Sequence, residues 1–173
     1  DIFFNRIPFL NPLTHENYIK MADYITETTN QILPNEKVDV VAYGCTSGTI
    51  EIGEERIKYE IHKSKSDALI TTPITAAIKA FKLSNFKKIA VLTPYPKEVN
   101  IKVYDYLIKN GFDIKSFNSF NLNYDSEIAK VTPDSLMQTI SSIDLSETDC
   151  LFVSCTALKI LDLIEDLEEN LKT

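Results

Sequence analysis

The chain is poor in the residues that mark several large functional classes. It has four glycines, and none falls in a GxGxxG or P-loop spacing. That excludes the usual phosphate-cradling turns, and with them nucleotide or dinucleotide chemistry. Cysteine is scarce, at Cys45, Cys150 and Cys155 only. An odd count without regular spacing is not a disulfide framework, so a reducing compartment, the cytoplasm, is expected. The two histidines, His15 and His62, stand in no zinc-ligand spacing with those cysteines, so no metal and no cofactor are expected. No stretch of 18 apolar residues occurs, which argues against a membrane span. Lys and Arg (18) are outnumbered by Asp and Glu (25), an excess that disfavours nonspecific nucleic-acid binding. No secretory signal is expected from these residues. The chain starts without Met inside an apolar stretch, Ile2-Phe3-Phe4, and so reads as a fragment.

What is present is ordinary globular material, 44% hydrophobic and 25% charged over 173 residues, enough for one or two small domains with a core. Residues 2–9 read as a strand closed by Pro8 and Asn11-Pro12. Residues 14–33 read as a helix with Thr14 as N-cap and Asn17 as its capping-box partner. Residues 38–43 form a continuous apolar run, the pattern of a parallel strand buried on both faces. A turn at 44–48 leads into a helix over 49–62. Strands at 68–71, 88–92, 112–120 and 150–153 follow. Helices run from Pro73 to residue 81, from Thr93-Pro94 to 109, onward from Thr132-Pro133, and over 157–171. Alternating strands and helices predict an α/β class with mostly parallel sheet.

One internal repeat carries chemistry. Lys37-Val38-Asp39-Val40-Val41-Ala42-Tyr43-Gly44-Cys45-Thr46 aligns without gaps on Glu147-Thr148-Asp149-Cys150-Leu151-Phe152-Val153-Ser154-Cys155-Thr156. Each copy is an Asp, an apolar strand, a small residue, then Cys-Thr and a predicted helix. The crevice beyond the carboxyl ends of parallel strands is the usual ligand site. Unpaired amides at a helix start, here those of Thr46, Ser47 and Gly48, can hold a carboxylate, and the same dipole is expected to lower a nearby thiol pKa. A single strand cysteine is more often a small apolar core residue, and Cys150 is placed in that class. The repetition is what lifts Cys45 and Cys155 out of it. His15 and the lysines at 79, 82, 87 and 88 read as solvated surface, His62 as a charge suited to a helix C-terminus, and Asp39 and Asp149 as turn caps.

The segments Val41-Ala42-Tyr43-Gly44-Cys45-Thr46-Ser47-Gly48 and Phe152-Val153-Ser154-Cys155-Thr156-Ala157-Leu158 resemble the aspartate/glutamate racemase superfamily, in its maleate isomerase and arylmalonate decarboxylase branch. Arg6-Ile7-Pro8-Phe9, Asn11-Pro12-Leu13-Thr14 and Ile32-Leu33-Pro34 are most similar to the racemase-like protein of ectoine utilisation. The resemblance implies two pseudo-symmetric flavodoxin-like lobes, residues 1–82 (incomplete) and 83–173, with the active site between them and segments absent at both ends. It implies catalytic Cys45 and Cys155, and carboxylate binding by Thr46, Ser47, Tyr95 and Thr156. Tyr95, between Pro94 and Pro96, reads equally well as a turn residue. Arylmalonate decarboxylases carry Gly where Cys45 stands, so the pair of thiols favours racemisation or isomerisation. Where maleate isomerases show Asp-Asn, this chain has Asp125-Ser126. The expected function is cofactor-independent racemisation or isomerisation of a small carboxylic acid in ectoine-type catabolism, by a homodimer. The alternatives are a maleate cis-trans isomerase, an arylmalonate-type decarboxylase and, from another class, a non-catalytic small-anion binding protein.

Overall fold

Two parallel sheets organise the computed structural model, which describes residues 1–171. The larger is centred on β3 (Lys88–Thr93), flanked by β4 (Asp113–Ser119) and β5 (Cys150–Val153), all parallel. The run Ile89-Ala90-Val91-Leu92 has no outward polar face, so it takes the central position and is fully buried, as expected for a parallel strand covered on both sides. Asp149 fixes the register at the strand starts. Its carboxylate accepts the Lys87 and Lys88 amides at 2.7 and 2.8 Å, so this repeated Asp ties β5 to β3 and does no chemistry.

The smaller sheet pairs β1 (Val40–Ala42) with β2 (Leu69–Thr71). Around it lie α1 (His15–Met21), a 3-10 turn at Ala22–Tyr24, α2 (Ile25–Asn30), α3 (Thr46–Ile52), α4 (Glu54–His62) and α5 (Pro73–Leu83). The expected single helix after Cys45 is broken at Gly53, whose φ of +91° lies where only glycine is comfortable. α5 is started by Thr72, whose hydroxyl accepts the Thr75 amide ahead of Pro73, the arrangement that satisfies orphan amides at a helix start. Further along come α6 (Lys97–Lys109), α7 (Asp125–Ile128), α8 (Pro133–Ser141) and α9 (Ile164–Leu171). Val99, Val103 and Leu107 of α6 and Leu136 and Ile140 of α8 point inward at helical spacing and are buried.

Four sequence expectations are corrected. Residues 2–9 form no strand: among the described residues no neighbour pairs with them, Pro8 lacks an amide to donate, and Ile2 and Phe4 lie exposed while Ile7 and Phe9 pack on the core. β1 is not buried on both faces, because its sheet has only two strands and Val40 remains 52% exposed. Thr14 caps α1 by accepting the Asn17 amide, but the Asn17 side chain donates to the Pro12 carbonyl rather than closing a capping box. No helix follows Cys155 directly. A turn and a 3-10 segment (Leu161–Leu163) intervene, and α9 starts only at Ile164. Among the described residues, no helix is long and apolar enough to cross a membrane.

Candidate active site

A cavity of about 320 Å³ opens between the carboxyl ends of the two sheets. That is the small end of ligand-site volumes. It is lined by Cys45, Thr46 and Ser47 after β1, by Tyr95 after β3, and by Cys155 and Thr156 after β5. All six residues singled out in the sequence therefore meet in one place. The two junctions also touch directly, since the Thr156 hydroxyl donates to the Gly44 carbonyl at 2.9 Å. Leu13 donates its amide to the Asn123 carbonyl, and Asn11 accepts the Asp125 amide, so the loop before α1 is fastened to the segment that follows β4.

Cys45 is the N-cap of α3. Its Sγ accepts the Gly48 amide at 3.3 Å and lies 3.9 Å from the Ser47 hydroxyl. Gly48 is required by close approach: a Cβ there would stand 2.7 Å from the Tyr43 hydroxyl and 2.9 Å from the Cys45 sulfur. The Thr46 and Ser47 amides, at the first two helical positions, have no acceptor within the helix. Cys155 is held differently. Its φ is +106°, a strained conformation for a side-chain-bearing residue, costing on the order of 1–3 kcal/mol. The Ala157 and Leu158 amides and the Tyr95 phenol reach its thiol. Tyr95 is no exposed turn residue: it is buried, and its hydroxyl lies 3.3 Å from the Ser154 hydroxyl.

The electrostatics run against the dipole argument. Burial pushes the Cys45 thiol up to about 11, outweighing the Gly48 amide and the Ser47 hydroxyl, which pull it down. Burial likewise raises Cys155, against the pull of the Ala157 amide and Tyr95. A short helix start cannot offset the cost of placing a thiolate in an apolar wall. Both thiols are therefore protonated at neutral pH in the ligand-free protein. Cys150, on β5, is raised to about 11 by burial and is absent from the cavity lining.

Two lining residues escaped the sequence reading, and a third, Asp125, was met there only in the pair Asp125-Ser126. Tyr18 on α1 is buried and accepts the Ser47 hydroxyl at 2.9 Å. Tyr43 is buried with a hydroxyl that has no hydrogen-bond partner among the described residues. Asp125 places a carboxylate near both thiols. The helical stripe containing Tyr18 and the position of Tyr43 two residues before Cys45 were available signals. Asp125 had only its place after β4. His15, expected to be plain surface, is exposed but engaged: its Nδ1 lies 2.5 Å from Glu51 and 2.7 Å from Lys102. Among the described residues, no group of three or more His, Cys, Asp or Glu side chains could hold a metal ion.

The sequence model of the arylmalonate decarboxylase family matches residues 8–173. The chain belongs to that family. It is 25% identical over 140 residues to the maleate isomerase of Nocardia farcinica, covering 76% of this chain and 56% of that protein. In structure it resembles the maleate isomerase of Pseudomonas putida S16 with maleate, at a TM-score of 0.85 and 21% identity over 95% of this chain and 68% of that one. It also resembles a Nocardia farcinica maleate cis-trans isomerase mutant with a covalently bound succinylcysteine intermediate, at a TM-score of 0.82 and 21% identity, covering 93% of this chain and 69% of that one. The chain spans 56% to 64% of the length of the curated maleate isomerases it matches.

Proposed function

We propose that this family member carries the site of a cofactor-independent isomerase or racemase for a small carboxylic acid, with Cys45 and Cys155 as the acting thiols. The observation that carries the reading is the meeting of two thiols, from equivalent strand ends, in one cavity. The substrate carboxylate would lie against the Thr46 and Ser47 amides, with Tyr95 and Thr156 beside it. In the racemase form, one thiolate removes the α-proton, the electron pair moves onto the carboxylate as an enediolate, and the other thiol returns a proton to the opposite face. In the cis-trans form, the Cys45 thiolate adds to an alkene carbon and its electron pair shifts onto the carboxylate. The C–C bond rotates, and expulsion of the thiolate restores the double bond. The succinylcysteine seen in the Nocardia relative supports covalent sulfur chemistry in this family. A setting in ectoine-type catabolism rests on the resemblance of residues 6–14 and 32–34 alone. Cytoplasmic location and a homodimeric state are proposed with it.

A second reading, a small-anion binding protein, has specific support. Both thiols are held above their ordinary range by burial, and the Ser47 and Thr156 hydroxyls already donate to protein atoms. Turnover separates the two. The chain is incubated in D2O with a panel of amino acids, hydroxy acids and unsaturated dicarboxylates, and products and α-deuteration are followed by NMR. The isomerase reading expects conversion that falls on the order of a thousandfold in both Cys45→Ser and Cys155→Ser. Binding of a panel member without conversion, or conversion undiminished in both variants, overturns it.

A further inference from the structure

One buried polar group of the cavity wall is idle in the ligand-free protein. Tyr43, two residues before Cys45, lines the cavity and is only 5% exposed, and its hydroxyl has no hydrogen-bond partner among the described residues. A buried hydroxyl without a partner is costly and asks for an explanation. This one stands beside the sulfur of Cys45. Both groups lean over Gly48, where a Cβ would lie 2.7 Å from the hydroxyl and 2.9 Å from Sγ. The glycine therefore keeps open the narrow gap between them.

Two other donors approach that sulfur. The Gly48 amide donates to it at 3.3 Å. The Ser47 hydroxyl is 3.9 Å away, and its one hydrogen goes to the Tyr18 hydroxyl. The charges of Cys155 and Asp125 oppose ionisation of Cys45. Tyr43 is no base for it: burial first, then Cys45 and Tyr18 nearby, hold its phenol well above the ordinary tyrosine value. The phenol stays protonated and available as a donor. A neutral thiol is a weak acceptor. A thiolate is a charged one, and hydrogen bonds to charged groups are roughly twice as strong. Resting on the reading of Cys45 as an acting thiol, we propose that Tyr43 is a conditional donor to that thiolate, its hydroxyl turning across the gap at Gly48 to bond Sγ once the proton has left. Tyr43 then acts through Cys45 and not on the substrate, as a positioning residue.

The test is a pH titration of the whole chain with isotope-labelled cysteine, following the Cβ resonances of Cys45, Cys150 and Cys155 by NMR. In Tyr43→Phe the Cys45 midpoint should rise by about one pH unit or more, the tenfold effect of one charge-assisted hydrogen bond. The midpoints of Cys150 and Cys155 should stay nearly in place. Alkylation of Cys45 at pH 9 should slow about threefold or more, because the remaining thiolate is rarer though more nucleophilic. A Cys45 midpoint unmoved or lowered in folded Tyr43→Phe overturns the proposal, as does an equal rise at all three thiols, the mark of a merely structural role. If that variant does not fold, the unaltered chain decides: the ring Cζ resonance of labelled Tyr43 should move through the Cys45 midpoint, and should hold still in Cys45→Ser. A resonance that never moves overturns the proposal. Turnover is read separately in the Cys45 and Cys155 variants. Turnover lost there, with the Cys45 midpoint unmoved in Tyr43→Phe, sinks the role of Tyr43 alone. A raised midpoint with turnover intact sinks the thiol mechanism alone.

Discussion

Lys102→Met tests how α3 and α6 are held together. Glu51 lies on α3, the helix capped by Cys45, and its side chain is only 1% exposed. Lys102 reaches it from α6 at 2.5 Å, and His15 of α1 approaches the same oxygen at 2.5 Å. Removing one partner of a fully buried pair costs about 3–5 kcal/mol, because a charge is left uncompensated. Here the figure must be reduced. Lys102 is 40% exposed, so water reaches the vacated position, and His15 stays. We expect about 1–2 kcal/mol, which for a chain of this size lowers Tm by roughly 2–8 °C. Glu51→Gln with Lys102→Met removes both charges and should recover most of the loss, giving a coupling on the order of 1 kcal/mol in a double-mutant cycle. Urea and thermal unfolding at neutral pH read all four proteins. A Lys102→Met variant as stable as the parent, or strictly additive losses in the double variant, would refute the reasoning.

Three further outcomes follow from the site. With its thiol raised to about 11, Cys45 should be alkylated slowly at pH 7, the rate climbing about tenfold per pH unit as the thiolate fraction grows; a plateau near neutrality would show that burial does not dominate. The sign for stability is the same. The folded thiol ionises later than the unfolded one, so the contribution is intact below the unfolded pKa near 8.5 and is lost as pH rises towards 11, at up to about 1.4 kcal/mol per unit, a slope that Cys45→Ser should reduce. Tyr43→Phe removes a buried hydroxyl that has no partner among the described residues, so stability of the ligand-free chain should hold or rise, by up to about 1 kcal/mol; a loss beyond 1 kcal/mol in urea unfolding would mean the hydroxyl is engaged.

Much of the architecture was legible because it is written in local pattern. The apolar run at Ile89-Ala90-Val91-Leu92 marks the central strand, Thr132-Pro133 marks the start of α8, and the Asp-strand-Cys-Thr repeat brings Cys45 and Cys155 to one cavity. The errors have tertiary causes. The segment 2–9 carries strand-forming residues but finds no strand to pair with. The chain after Cys155 leaves its strand at positive φ and turns before it can wind, which nothing in Thr156-Ala157-Leu158 announces. The thiol pKa was read from the helix start, while burial, which only the fold creates, decides the direction. Asp125 was visible as the Asp of the Asp-Asn pattern, whose second residue is Ser126 here, but only the fold puts its carboxylate in one cavity with both sulfurs.

The central claim, two thiols flanking one bound carboxylate, is tested most directly by ligand protection. The chain is alkylated at pH 9 with increasing concentrations of the tightest-binding acid of the panel, and labelling of Cys45, Cys150 and Cys155 is followed separately by peptide mass spectrometry. The account predicts that Cys45 and Cys155 are protected together, with one half-saturating concentration, while Cys150 is labelled at an unchanged rate. Protection of only one of the pair, or different half-saturating concentrations for the two, would contradict it.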